Sequence, residues 1–355
     1  MSISRSRRAV VATASLALLS ACSGGSQLSP VASQQAQSQH VSTTELPSLG
    51  ELAEGKKTKT YPLIFAADAG SRNQKSAGVY AYLDNGTNQS PIWALTGSPL
   101  TGPQALWVDG SDNLYVADAD GSIYEYNKPT DQGAPSLSFT YNEGGYSPNA
   151  VAVCGNYLYA SNLNSPGSPG GASVAVWKLG NAKPITIIGS QQVQGFGQGA
   201  GGGITCDSTT GKAYFGWNTS YAGPGTVYEY AAGLSGSPDI TGIDPGFVQG
   251  LTANKAYANV VLGDQYPPND KPPQIEFWSL STGKLLHAIK GSWVQEPEAF
   301  AYEAADGYLF DADGASNAIT KFKTNGKVFN TITSIGNKET FGQLTGVAVS
   351  PPDHK

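Results

Sequence analysis

Gln104-Ala105-Leu106-Trp107-Val108-Asp109, a polar turn, Leu114-Tyr115-Val116-Ala117-Asp118, a second turn, Ile123-Tyr124-Glu125-Tyr126, and then Leu137-Ser138-Phe139-Thr140 make one run of four short segments. Each segment alternates or is apolar, and Gly, Asn or Asp stands between them, so they read as strands joined by turns. The same order returns from Ala150, Gly203, Gly250 and Ala299, at spacings of 45, 53, 47 and 49 residues. A period of that size marks a propeller or a solenoid.

The two chain ends decide between these. Gly346-Val347-Ala348-Val349 supplies only a first strand, while Leu63-Ile64-Phe65-Ala66-Ala67-Asp68, Val79-Tyr80-Ala81-Tyr82 and Ile92-Trp93-Ala94-Leu95 supply the three that it lacks. An open array would leave both terminal sheets incomplete; a ring pairs them and protects their edges. The expected fold is all-β, a six-bladed propeller closed by strands from both termini. Composition agrees: 44 Gly, 22 Pro and 18 Tyr with only 14% charged residues suit many tight turns between aromatic-rich strands. The length alone suggests about two domains. No linker interrupts the repeats, however, and one domain over residues 61–352 is the better count.

Residues 1–21 read as an address. Arg5, Arg7 and Arg8 precede an apolar run from Ala9 to Leu19, too short to span a bilayer and suited to a signal peptide. Leu19-Ser20-Ala21-Cys22 resembles the lipobox of bacterial lipoproteins, which implies cleavage before Cys22 and lipidation of that cysteine. The other reading of this leader is an ordinary exported protein. Residues 22–60, with Ser23-Gly24-Gly25-Ser26 and Ser33-Gln34-Gln35-Ala36-Gln37-Ser38-Gln39, are too polar to bury a core and read as a flexible tether. The expected location is the cell envelope, periplasmic or surface-facing, on a membrane through the N-terminal lipid. Loss of three Arg with the leader takes the net charge from -6 to -9, which argues against nucleic acid and against a polybasic grip on lipid. The chain is expected to be a monomer.

Cys154 and Cys206 end the first strands of neighbouring blades. The alignment of repeats sets Cys154 opposite Asp207 and Cys206 opposite Val153, so a disulfide and two buried thiols both remain open.

Because strands alternate in direction, the entry to each first strand and the loop between second and third strands share one end of the ring. First-to-second turns are short and alike, as at Gly155-Asn156; second-to-third loops are longer and varied, as over residues 162–171 and 263–273. Variable loops on a regular scaffold are where recognition lives. Gln104, Asn149, Gly202, Gln249, Glu298 and Thr345 stand just ahead of the first strands and should ring the channel mouth. Asp118, Asp311, Trp217 and Tyr266 should shoulder it. Such a mouth suits a small molecule, a glycan or a protein.

The two Asp-Ala-Asp-Gly sequences, at 118–121 and 311–314, read as turns, with a divalent cation, calcium, as the second reading. Catalytic groups are sparse. His40 lies in the tether, His287 in an outer strand and His354 at the C-terminus, and no pattern marks a serine or cysteine nucleophile. No catalytic residue is assigned.

Pro103-Gln104-Ala105-Leu106-Trp107-Val108-Asp109 through Asn113-Leu114-Tyr115-Val116-Ala117-Asp118 resembles NHL-type repeats, with their proline entry, Leu-Tyr-Val second strand and terminal Asp. The resemblance implies a six-bladed fold and a binding role. Gluconolactonase-like hydrolases are similar propellers that hold a divalent metal at the mouth; Asn149 after Pro148 and Glu298 after Pro297 match part of that ligand set. Streptogramin-lyase-like proteins resemble the repeat more closely, but use a channel histidine that this chain lacks. The expectation is therefore a binding scaffold, not an enzyme; a metal-assisted hydrolase or lyase using Asn149 and Glu298 is the alternative.

Overall fold

The computed structural model describes residues 62–350 except 71–75, 85–89, 143–146, 163–171, 190–199, 208–209, 220–223, 255–258, 266, 268–270, 304–306, 325–328 and 337–339. It is an all-β six-bladed propeller. Six four-stranded antiparallel sheets stand in a ring. Blade one is built from both chain ends: Leu344–Ser350 pairs with Leu63–Asp68, which continues to Gly78–Leu83 and Trp93–Thr96. Blades two to six begin at Pro103, Pro148, Ala200, Val248 and Pro297. Among the described residues the only helical element is a 3-10 turn at Ala232–Leu234, and none is long and apolar enough to cross a membrane.

The strands form because both faces of each blade are buried between neighbours. Alternate side chains therefore serve alternate seams. In blade two Leu114 and Val116 join the core shared with blade one, whereas Tyr115 and Ala117 join the core shared with blade three. In blade six Leu309 packs toward blade five, while Phe310 and Ala312 pack toward blade one. Polar stitches add to the packing. Asn317 Oδ1 accepts from Leu344 N at 2.9 Å between blades six and one, and Thr345 Oγ1 donates to Pro103 O at 2.7 Å between blades one and two. Lys321 pairs with Asp84 beneath the Tyr308 ring, closing the last seam again near its rim.

Cys154 and Cys206 form a disulfide between blades three and four. The one-residue offset between them, which leaves their pairing open in the sequence, is the reason that they meet. Neighbouring positions on a strand face opposite seams. Cys154, one step beyond the Val153 position, therefore looks toward blade four, while Cys206, at the Val153 position, looks back toward blade three. At equivalent positions the two thiols would point the same way around the ring.

Candidate functional site

In all six blades the pairing between first and second strand slips near the first strand's entry, as between Pro103 and Ala105 or between Pro297 and Ala299. A bulge at such a position re-aims a side chain. Gln104, Asn149, Gly202, Gln249, Glu298 and Thr345 fall at these slips, inside the first strands rather than ahead of them.

Asn149, Gln249, Glu298 and Thr345 line one cavity at the channel mouth, of about 410 Å³ including space open to solvent. Beneath them Leu106, Val151, Ile204, Leu251, Phe300 and Val347, one from each blade, make an apolar collar. Thr345 is buried, and its hydroxyl is already used between blades. Asn149 Nδ2 donates to Gly201 O at 3.0 Å, while its Oδ1 has no hydrogen-bond partner. Gln104 turns aside, with Nε2 donating to Gly102 O at 3.0 Å. Asn149 and Glu298 belong to blades three and six, on opposite sides of the ring. Among the described residues no group of three or more His, Cys, Asp or Glu is placed to hold a metal ion.

The acids around this end have another task. Asp118, expected at the mouth, is fully buried, and its Oδ2 accepts from Thr101 N and Gly102 N at 3.0 and 3.1 Å. Asp68 accepts from Gly342 N and Gln343 N, both at 2.8 Å; Asp264 accepts from Gly246 N and Phe247 N at 2.9 and 2.8 Å; Asp313 accepts from Gln295 N and Glu296 N at 2.6 and 2.8 Å. Each carboxylate ends a second strand and clamps the loop that enters the first strand of its own blade. Such charge-assisted bonds to backbone N–H groups are among the strong ones. The terminal Asp of the repeat is thus a loop clamp.

Blade three ends its second strand with Asn162, whose Nδ2 donates to Ser173 Oγ at 2.9 Å. In blade four the clamp position holds Trp217, expected at the shoulder of the mouth and instead buried in the core shared with blade three. The next residue, Asn218, reaches the first strand of blade five, accepting from Val248 N at 2.7 Å and donating to Val248 O at 2.8 Å. Tyr266 and Cys22 lie outside the described residues.

The two Asp-Ala-Asp-Gly sequences are out of register by two residues. At 118–121 the first Asp is the clamp, and Asp120 closes the turn by accepting from Ser122 N at 2.8 Å and Tyr124 OH at 2.6 Å. Gly121 is needed there for its φ of 92°. At 311–314 the second Asp is the clamp. Gly314 makes room for Glu298, since a Cβ there would lie 2.6 Å from Glu298 Oε1.

Asp311 is then left over, at a position occupied by Ala66, Val116, Ala160, Phe215 and Leu262 in the other five blades. It is fully buried on the face turned to blade five, and neither carboxyl oxygen has a hydrogen-bond partner. Burial, and then the charges of Asp313 and Glu298, hold its pKa well above the ordinary carboxylate range.

The sign of its pH dependence follows. With the native pKa raised, the folded state keeps a proton that the unfolded chain releases above about pH 3.9. This contribution is complete below that pH and is lost as pH rises through the native value. Asp311→Asn removes the loss. The variant is expected to be more stable than the wild type by about 1–3 kcal/mol at pH 8 and by less at pH 5, as read from denaturant melts. A variant less stable at pH 8 would show that Asp311 has a stabilising partner.

No protein-family model matches the chain, and no curated protein matches it. Solved structures do. The chain is similar to one in a nidogen/laminin complex, with a TM-score of 0.58 and 15% identity over 81% of this chain and 98% of that one. It is also similar to a periplasmic gluconolactonase of Pseudomonas aeruginosa, with a TM-score of 0.54 and 13% identity over 81% of this chain and 98% of that one. At such identities the likeness is one of fold.

Proposed function

We propose that the protein is a lipid-anchored propeller of the cell envelope that acts as a binding scaffold through its long-loop face. One observation carries the reading: Asp68, Asp118, Asp264 and Asp313 are all committed to clamping loops. Among the described residues the mouth cavity is left with amide and hydroxyl side chains and one acid, Glu298, over an apolar collar. That is a surface for hydrogen bonding and shape recognition. The alternative, a metal-assisted hydrolase or lyase, needs Asn149 and Glu298 to coordinate one metal ion from opposite blades.

The test is a thermal-shift screen of small polar molecules on the mature chain, with metal content read by elemental analysis. Shifts that Gln249→Ala abolishes support binding at the mouth. Turnover of a lactone dependent on a divalent metal would overturn the scaffold reading.

Anchoring has its own test. Cys22→Ala is expected to move the protein from the membrane fraction to the soluble fraction and to abolish incorporation of labelled fatty acid. Persistence of the variant in the membrane fraction would overturn the anchor.

A further inference from the structure

The mouth cavity is lined on one side by Glu298, and among the described residues its lining contains no Lys, Arg or His. Behind Glu298 lies Asp311, a second acid, fully buried and bare of hydrogen-bond partners, where every other blade has an apolar residue. Stability cannot account for it, since burying an unpaired carboxyl costs free energy. Asp313 is close enough to act on it electrostatically, and the other clamp carboxylates stand at the same end of the ring. Fields of one sign in a concave, low-dielectric mouth concentrate ligands of the opposite sign. Asn149 adds an amide oxygen left without a donor.

We infer that the mouth takes a small organic cation, a molecule carrying a protonated amine, which donates to Glu298 in front of Asp311. The inference rests on the binding role of the mouth and names the ligand class for it. Glu298 is the contact; the bound charge favours release to solvent of the proton that Asp311 holds in the folded state, and the carboxylate so formed attracts the cation in turn.

Three probes of one size and different charge test it: n-butylammonium, n-butanol and butyrate, titrated at matched ionic strength into the mature full chain. Binding is followed by thermal shift and by ligand-observed NMR. Butylammonium is expected to bind more tightly than the other two. Glu298→Gln should weaken it about tenfold, the effect of one charge-assisted hydrogen bond, and Asp311→Asn should weaken it less. If Glu298→Gln fails to fold, judged by circular dichroism, Asp311→Asn carries the test.

Equal or tighter binding of butanol or butyrate, abolished by Gln249→Ala, would overturn the cation preference and leave the mouth as a binding site. Butylammonium binding that neither acid variant weakens would overturn the assignment to blade six. No binding of any probe would count against both readings.

Discussion

Asp118→Ala is expected to destabilise the propeller by about 3–4 kcal/mol, a large effect for a residue expected from the sequence to meet a ligand. The carboxylate accepts from Thr101 N, Gly102 N, Thr101 Oγ1 and Asp120 N. Truncation leaves buried Gly102 without its partner and releases the loop that aims the first strand of blade two. Leaving one buried donor unpaired costs about 1–3 kcal/mol, and bonds to charged groups stand at the upper end of that range. Asp118→Asn keeps one acceptor oxygen and should cost roughly half as much. Urea melts of both variants check the ordering, and amide exchange should quicken first at Thr101 and Gly102. A cost below about 1 kcal/mol for alanine would remove the clamp from the account of this fold.

The second large effect is expected at the blade three to four seam. The Cys154–Cys206 disulfide closes a loop with a sequence separation of 52. Constraint of the unfolded chain by a loop of that length contributes about 4 kcal/mol. The Cys154→Ala/Cys206→Ala double variant should lose about that much and should no longer respond to reductant, whereas the wild type should fall to a similar stability when reduced. Each single variant should match the double one, because either removes the same bond. Single losses that add to the double loss would show that packing of the two side chains, and not the bond, is what matters.

These two sites show where reading by repeat succeeds and where it stops. The terminal Asp is visible in the sequence as a recurring letter. Its role is not, because the N–H groups that it binds lie some seventeen residues earlier, in a loop with no fixed pattern. Trp217 looks like a loop aromatic because it stands at a strand end; packing shows that it fills the clamp position of blade four and faces blade three. The paired Asp-Ala-Asp-Gly sequences look equivalent as words, yet in only one does the first Asp end its strand. Asp311 carries a usable signal, an acid in a column that is otherwise apolar, but the column appears only when blades are aligned on their clamp residues. Gln249, Asn149 and Glu298 were within reach, since each precedes the apolar core of a first strand and the bulge turns it to the mouth.

The sequence by itself determined the six quartets, their strand directions, the closure of blade one by both chain ends, and which end of the ring carries the varied loops. All of these follow from alternation and turn chemistry, which act over a few residues. Only the tertiary structure decided that Cys154 and Cys206 face one another, that four acids hold loops, that Trp217 is buried and that Asp311 stands bare behind Glu298. Each of these depends on which seam a side chain enters, and adjacent residues on a strand enter opposite seams. A shift of one position, too small to disturb the repeat, therefore changes what a residue touches.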